Sequence, residues 1–437
     1  MLRSIFFLVC FLVTVSLSAG DVPNVVVITV DTLRSDHLSG YGYGRQTSPK
    51  LDALMKSGAR FSQARTVEPL TAPALASMLT SRYPHEHGAT RNGLPIYNDL
   101  SSISKLLAAR GYDTAAFVGN WTLRDGITGL GSHFKEYNEV FTRKRWLGLL
   151  FSEATAVDLT DKALKWVESR KDRKEPFFLW VHYADPHAPY RFKKAFSNQL
   201  GLTNTSEPGK LDRYDTEIAF TDHHIGRLLD GLNKVSEDTL TIFSSDHGES
   251  LGEHDYWGHG RHLYEATLHI PLAITWDGVI LPSQVDAPAM LLDVPSTILG
   301  LLGMSQPTEF NGYDWSGVLM GRNQAPRGRR TFHQAHKGAV QTKKGVERGR
   351  QKGLLEVAII ENGKKEIFRV KTMTRQVFDL NLDPEELRSR VSKKSELTDP
   401  LKRWALEVEK GLYRVMSRPG VLDDSDLEML RSLGYIE

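Results

Sequence analysis

Asn24-Val-Val-Val-Ile-Thr-Val30, followed at once by Asp31, is the stretch on which the reading of the fold turns. An unbroken β-branched apolar run predicts a strand buried on both faces, as in a parallel sheet covered by helices. Pro176–Tyr183 (PFFLWVHY) and Thr239–Ser245 (TLTIFSS) repeat the pattern, and Asp113–Gly119 and Ile270–Thr275 add shorter runs. Helical spacing separates them: a helix opened by Ser48-Pro49 and stopped by Gly58, then Ser101–Arg110, Ala156–Glu168, Asp212–Leu232 and Asp293–Leu302. Phe61–Val67 reads as one short strand, and residues 120–150 show no clear period, as a substrate-facing loop or an excursion on the sheet rim would. The alternation predicts an α/β fold, a doubly wound and mostly parallel sheet.

Beyond about residue 320 the texture changes. Glu356–Ile360, Glu366–Val370 and Gln376–Leu380 read as strands of a small antiparallel sheet, with Asn362-Gly363 as a hairpin turn. A helix then runs from about Asp399 to Met416, before a short tail from Asp423 to Glu437. The expected division is a signal segment at 1–20, a catalytic domain at 21–320 and a smaller C-terminal α+β domain at 321–437.

A chain of 437 residues with 40% apolar and 25% charged residues is an ordinary globular protein. Its formal net charge of +2 and lack of a dense basic run argue against nucleic acid as a partner. Arg3, the apolar run Ile5–Leu17 and the small residues Ser18-Ala19-Gly20 form a secretory signal, so the protein is expected to be secreted or periplasmic. An uncleaved signal would instead anchor it to a membrane; no other stable membrane span is expected. The single cysteine, Cys10, lies inside that run, which leaves the mature chain without a disulfide, a thiolate ligand or a cysteine nucleophile.

Pro69-Leu-Thr-Ala-Pro-Ala-Leu-Ala-Ser-Met-Leu-Thr80 reads as a strand exit, a hydroxyl residue and a helix that starts at the hydroxyl. Thr71 there is either an N-cap or a group facing an anion, because free N–H groups and the helix dipole favour negative charge at that end. Asp31 and Asp246-His247 stand at the exits of two of the buried runs. Open α/β sheets place ligands at such strand ends. Two carboxylates, an imidazole and a hydroxyl brought to one rim would hold a divalent cation, with Asp31, Thr71, Asp246 and His247 as ligands and Thr71 as nucleophile. Another exit carries Asp185-Pro-His187, and four histidines, His247, His254, His259 and His262, crowd the loop after Thr239–Ser245. Asn120-Trp-Thr122 and Asn204-Thr-Ser206 match the glycosylation pattern.

Taken together, VVVITVDTLRSDHLSGYGY, TSPKLDALMKSGARF, PLTAPALASMLTSRYPHEHG, HYADPHAPY, IFSSDHGESLGEHDYWGHGRHLYEATLHIPL and QVFDLNLDPEE resemble, in order, the sulfatase-like hydrolases of the alkaline phosphatase superfamily. The resemblance implies an alkaline-phosphatase-like fold and one divalent cation, of calcium, manganese, magnesium or zinc, at Asp31, Asp246 and His247. It also implies a nucleophile at Thr71, with His187, His259 and His262 near the ester anion or leaving group. Sulfatases carry at the nucleophile position a cysteine or serine that is converted to formylglycine, followed by Pro and Arg. Here Thr71 and Leu75 stand instead, the acidic pair after the first strand is Asp31-Thr32, and His259 replaces a lysine. A threonine cannot yield that aldehyde, and the pattern resembles relatives that use threonine on phosphoesters.

The expected function is a metal-dependent hydrolase of sulfate or phosphate esters, phosphate mono- or diesters being favoured by the chemistry of a simple alkoxide. Its partner is then a small-molecule, glycan or lipid ester. A phosphoglycerol- or phosphoethanolamine-type transferase acting on an envelope glycan or lipid, and a non-catalytic binding relative, are the alternatives. A second cation would need ligands such as Asp185, His187 or His262.

Overall fold

The computed structural model describes residues 22–145, 150–202, 207–336, 353–389 and 395–416. The expected signal segment, Asn204 and the tail from Asp423 lie outside the described residues. Strands β1 (Asn24–Val30), β2 (Ala59–Phe61), β3 (Asp113–Val118), β4 (Glu136–Glu139), β5 (Phe177–Tyr183), β6 (Thr239–Ser245), β7 (Leu272–Thr275) and β8 (Ser283–Val285) form one eight-stranded sheet. Its order is β8-β2-β7-β6-β1-β5-β3-β4, and every pairing is parallel except those made by β7. The stretch predicted as one strand at 61–67 is two, β2 and a two-residue strand at Ala64–Arg65.

Because side chains alternate across a strand, β1 serves both faces. Val25 and Val27 enter a core with helix α2 (Thr71–Thr80) and with α5 (Val294–Leu301). Val26, Ile28 and Val30 enter the opposite core with α1 (Pro49–Lys56), α3 (Ala156–Glu168) and α4 (Lys210–Asn233). β1 therefore lies at the centre of the sheet, and its C-terminal end opens between β5 and β6.

All ten residues of α2 are buried. The N-cap of α2 is Leu70 in extended conformation, without a side-chain capping bond, so Thr71 is the first helical residue rather than the cap. Its hydroxyl is thereby released from the capping role that the sequence alone allowed.

The smaller sheet is antiparallel, in the order β9 (Thr331–His336), β10 (Leu354–Glu361), β11 (Lys364–Arg369) and β12 (Thr374–Asp379). One of its faces packs on Leu397 and on α6 (Thr398–Met416) through Leu401 and Val408, and the other on Leu263, Tyr264 and Leu268 of the large sheet's loops. β9 reaches the segment before Thr71: Gln334 N–H donates to Val67 O (3.0 Å), and Glu68 Oε1 accepts from His336 N–H (3.1 Å). Buried Lys365 pairs with Glu265 (2.9 Å) and Glu386 (2.7 Å), and Arg65 closes the cluster on Glu265 (2.8 Å).

Asn362 and Gly363 turn β10 into β11 with φ of 52° and 74°, the left-handed pair of a two-residue hairpin. A Cβ on Gly363 would collide with the Asn381 amide. Gly363→Ala is expected to lower stability by about 1 kcal/mol or more, read as a lower urea midpoint in equilibrium unfolding.

Candidate active site

Hydrogen bonds that extend the ladder past the strand ends set the site. Asp31 N–H donates to Tyr183 O (2.9 Å) and Asp246 N–H to Val30 O (3.4 Å), so both acids leave the same rim side by side. Each is fully buried, and each has one oxygen engaged and one not. Asp246 Oδ1 accepts from the N–H groups of Thr32 (3.1 Å) and His247 (2.7 Å). Asp31 Oδ2 accepts from the side-chain amide of Asn120. Among the described residues, Asp31 Oδ1 and Asp246 Oδ2 have no hydrogen-bond partner.

His247 completes the set. Its Nδ1 lies 2.8 Å from Gly248 O, which can only accept, so the ring hydrogen sits on Nδ1 and the Nε2 lone pair is free. That Nε2 lies 3.4 Å from Asp246 Oδ2, 3.9 Å from Asp31 Oδ1 and 3.5 Å from Thr71 Oγ1. Ligand atoms of Asp31, Asp246 and His247 fall within 4.8 Å of one another. Buried carboxylate oxygens without donors are costly, and a divalent cation is the group that two such oxygens and a neutral imidazole fit.

The electrostatics agree with that donor set. Burial pushes Asp246 well above the usual carboxylate range, and the Asp31 charge beside it adds to the effect. Burial acts on Asp31 in the same sense, but His187, His182 and His247 outweigh it and hold Asp31 well below the usual range. Burial, followed by the neighbouring His259, pushes His247 down to about 3, which keeps it neutral and ligand-ready.

Thr71 is delivered by α2, whose first turn is pinned where Ala72 N–H donates to Asn92 Oδ1 (3.0 Å). The exit at 184–190 closes as a turn, with His187 N–H on Ala184 O (2.9 Å). The His187 ring lies 5.4 Å from His259, and His259 lies 4.5 Å from His247, so these imidazoles line one flank of the cluster. Both have buried acids behind them: Glu249 Oε1 is 3.1 Å from His259 Nδ1, and Glu153 Oε1 is 3.6 Å from His187 Nδ1. Tyr190 O–H donates to the other oxygen of Glu249 (3.0 Å).

His262 is engaged by the smaller sheet. Its Nδ1 is drawn to Glu356 of β10 (2.9 Å), and its ring packs on Tyr256 at 5.1 Å. Asp185, weighed as a ligand of a second cation, instead accepts from the Ala156 N–H at the start of α3 (2.9 Å).

Asn120, which matches the glycosylation pattern, lies inside the protein. It is only 3% exposed, and its side-chain oxygen accepts from the N–H and O–H of Thr122 (2.9 Å each) while its amide holds Asp31. It sits just past β3, at a further strand exit of the kind that revealed Asp31. His182 was also missed; its signal was a lone imidazole inside the apolar run of β5.

Comparison with known proteins gives a consistent answer. A protein-family profile described as Sulfatase matches residues 23–304. The chain is 27% identical over 335 residues to an ulvan-active sulfatase of Formosa agariphila, covering 68% of this chain and 65% of that one. A protein solved in complex with its substrate D-glucosamine-2-N,6-O-disulfate superposes with a TM-score of 0.71 at 20% identity, over 92% of this chain and all of that one (100%). The phosphonate monoester hydrolase of Agrobacterium radiobacter superposes with a TM-score of 0.67 at 20% identity, over 90% and 96% of the two chains.

Without a cation, burial and the repulsion between the two carboxylates favour the protonated form of Asp246 and the charged form of Asp31. The raised carboxyl of Asp246 contributes stability below the ordinary carboxylate range, and that contribution is lost as pH rises through its raised value. Asp31 acts in the opposite sense, its contribution being lost only in strong acid. The cation-free protein is therefore expected to lose stability toward alkaline pH. A divalent cation should restore it with release of about one proton per ion, measured by calorimetry in buffers of different ionisation enthalpy. Asp246→Asn should abolish that release and weaken cation affinity by about tenfold or more.

Proposed function

The chain belongs to the sulfatase family, and we propose that it is a divalent-cation-dependent ester hydrolase whose nucleophile is the hydroxyl of Thr71. Sulfate ester hydrolysis is the chemistry of that family. The observation that carries the reading is the position of Thr71 Oγ1, 3.5 Å from His247 Nε2, on the flank of a cluster with two unpartnered carboxylate oxygens. Asp31, Asp246 and His247 would hold the cation. Bound there, it would lower the pKa of a hydroxyl that it touches and neutralise the oxygens of an anionic ester.

This chain's own groups do the rest. The N-terminus of α2 directs its dipole at the incoming anion and sets Thr71 Oγ1 at its centre. Thr71 Oγ1 attacks phosphorus or sulfur, losing its hydroxyl proton to solvent, as the bond to the leaving oxygen breaks. His187 or His259, each backed by a buried glutamate, supplies the proton to that oxygen. Water then attacks the same central atom, releases the anion and restores the Thr71 hydroxyl.

Phosphoesters are the favoured substrates within this reading. A threonine ester of phosphate is released by attack at phosphorus, whereas formylglycine enzymes release sulfate by collapse of a hemiacetal, a route closed to threonine. Leu75, which occupies the position of the family's arginine, is fully buried among the apolar residues of α2 and the sheet, a place suited to no guanidinium. The names of the relatives point to a saccharide as the alcohol portion. The N-terminal apolar segment would deliver the enzyme to the periplasm or the exterior.

Purified protein loaded in turn with Mn²⁺, Mg²⁺, Ca²⁺ or Zn²⁺ and assayed on aryl phosphate, phosphodiester, phosphonate and sulfate esters tests the proposal. Thr71→Ala should lower turnover by roughly three orders of magnitude or more and remove the trapped covalent intermediate seen by mass spectrometry. Turnover that survives this substitution, or no turnover with any cation, would overturn the reading.

A further inference from the structure

Asp31 has two oxygens to offer, and only one of them is free to face a cation. We propose that His182 is a positioning residue that, through a hydrogen-bond chain rooted in the core of the sheet, keeps Oδ2 of Asp31 occupied and Oδ1 presented. The inference rests on the cation reading given above.

β1 and β5 pair in parallel with Thr29 opposite His182 and Val27 opposite Trp180. The Trp180 indole N–H, a donor only, bonds to Thr29 Oγ1 at 2.9 Å. Thr29 has a single hydroxyl hydrogen to give, and His182 Nδ1 lies 3.0 Å away to receive it. With Nδ1 an acceptor, the ring hydrogen is on Nε2, and Nε2 faces Asp31 Oδ2 at 3.6 Å. Over that distance the contact is electrostatic rather than a formed hydrogen bond. His182 Nε2 has no hydrogen-bond partner among the described residues, and Thr29, Trp180 and His182 are all fully buried.

A histidine buried only to fill the core would have both nitrogens engaged by neighbouring polar groups. Here one nitrogen is oriented by a chain of two donors, and the other is spent on a carboxylate. Asn120 approaches the same Oδ2 with its amide. The Asn120 hydrogen bond and the electrostatic contact with His182 Nε2 make Oδ2 the stabilised oxygen and leave Oδ1, on the His247 side, as the one that must find its partner in the site. Groups that orient a ligand in this way typically change metal affinity about tenfold to a hundredfold when removed.

The test is Mn²⁺ affinity, measured by calorimetry and by loss of the free-ion electron paramagnetic resonance signal, on cation-free full-length protein. His182→Leu is expected to weaken Mn²⁺ about tenfold to a hundredfold, and Thr29→Val, which removes the donor to Nδ1, about threefold to tenfold. His182→Gln places an amide N–H near the lost Nε2 and should recover affinity to within a few-fold of wild type. His182→Asn, whose amide sits near Nδ1, should not. The thermal midpoint of each cation-free variant is measured alongside, and should not separate the Gln from the Asn variant. Should His182→Leu not fold, the Gln–Asn pair and Thr29→Val decide. Equal affinities for the Gln and Asn variants, or wild-type affinity in both His182→Leu and Thr29→Val, would overturn the inference alone. A wild-type protein that takes up neither Mn²⁺, Mg²⁺, Ca²⁺ nor Zn²⁺ would overturn the cation reading, a failure visible before any variant is made.

Discussion

Two carboxylates held side by side out of water govern the architecture of this protein. Asp31 and Asp246 leave adjacent parallel strands, fully buried, and each keeps one oxygen without a donor among the described residues. In a low-dielectric rim this pair cannot carry two charges unaided, and the surrounding structure answers that constraint in detail. Backbone N–H groups from Thr32 and His247 engage one oxygen of Asp246, and the Asn120 amide engages one oxygen of Asp31. His247 is fixed in the tautomer that turns a lone pair inward, and Thr71 is brought alongside it.

The smaller sheet bears on the same place from below. β9 is tied through Gln334 and His336 to Val67 and Glu68, the residues that lead into Thr71. The buried Arg65–Glu265–Lys365–Glu386 cluster joins that sheet to the helical turn Glu265–Leu268, just beyond the histidine-rich loop. Removing one member of such a cluster would leave an uncompensated buried charge, so the two sheets are coupled by charges as well as by apolar contact. The C-terminal part is thus a brace for the nucleophile segment and for the loop that carries His259.

Much of the site was legible because strand exits announce themselves. An apolar run that ends in an acid or an Asp-His pair is visible without coordinates, and it singled out Asp31, Asp246 and His247, whose side chains the structure brings together. Thr71 was legible as a helix start, but only the extended Leu70 showed that the hydroxyl is not consumed in capping. Asn120 showed only a match to the common glycosylation pattern, while burial and its bond to Asp31 decide its role. His262 matched a position in the family pattern, yet Glu356, 94 residues away, turns it toward the smaller sheet. Glu249 and Glu153 gave no signal at all, since an acid in a polar loop is usually solvated.

By itself the sequence determined the α/β class, the central place of β1, the helices on both faces and the antiparallel character of the C-terminal sheet. Those features follow from hydrophobic periodicity and turn chemistry, which are local. What only the tertiary structure decided is which oxygen of each carboxylate is free, which nitrogen of each histidine carries its hydrogen and which histidines face the cluster. These depend on hydrogen bonds between residues as far apart as Thr29 and His182 or Thr32 and Asp246. No local pattern encodes such pairings; they arise when packing brings the strand ends together and leaves each buried polar atom to find a partner or remain without one.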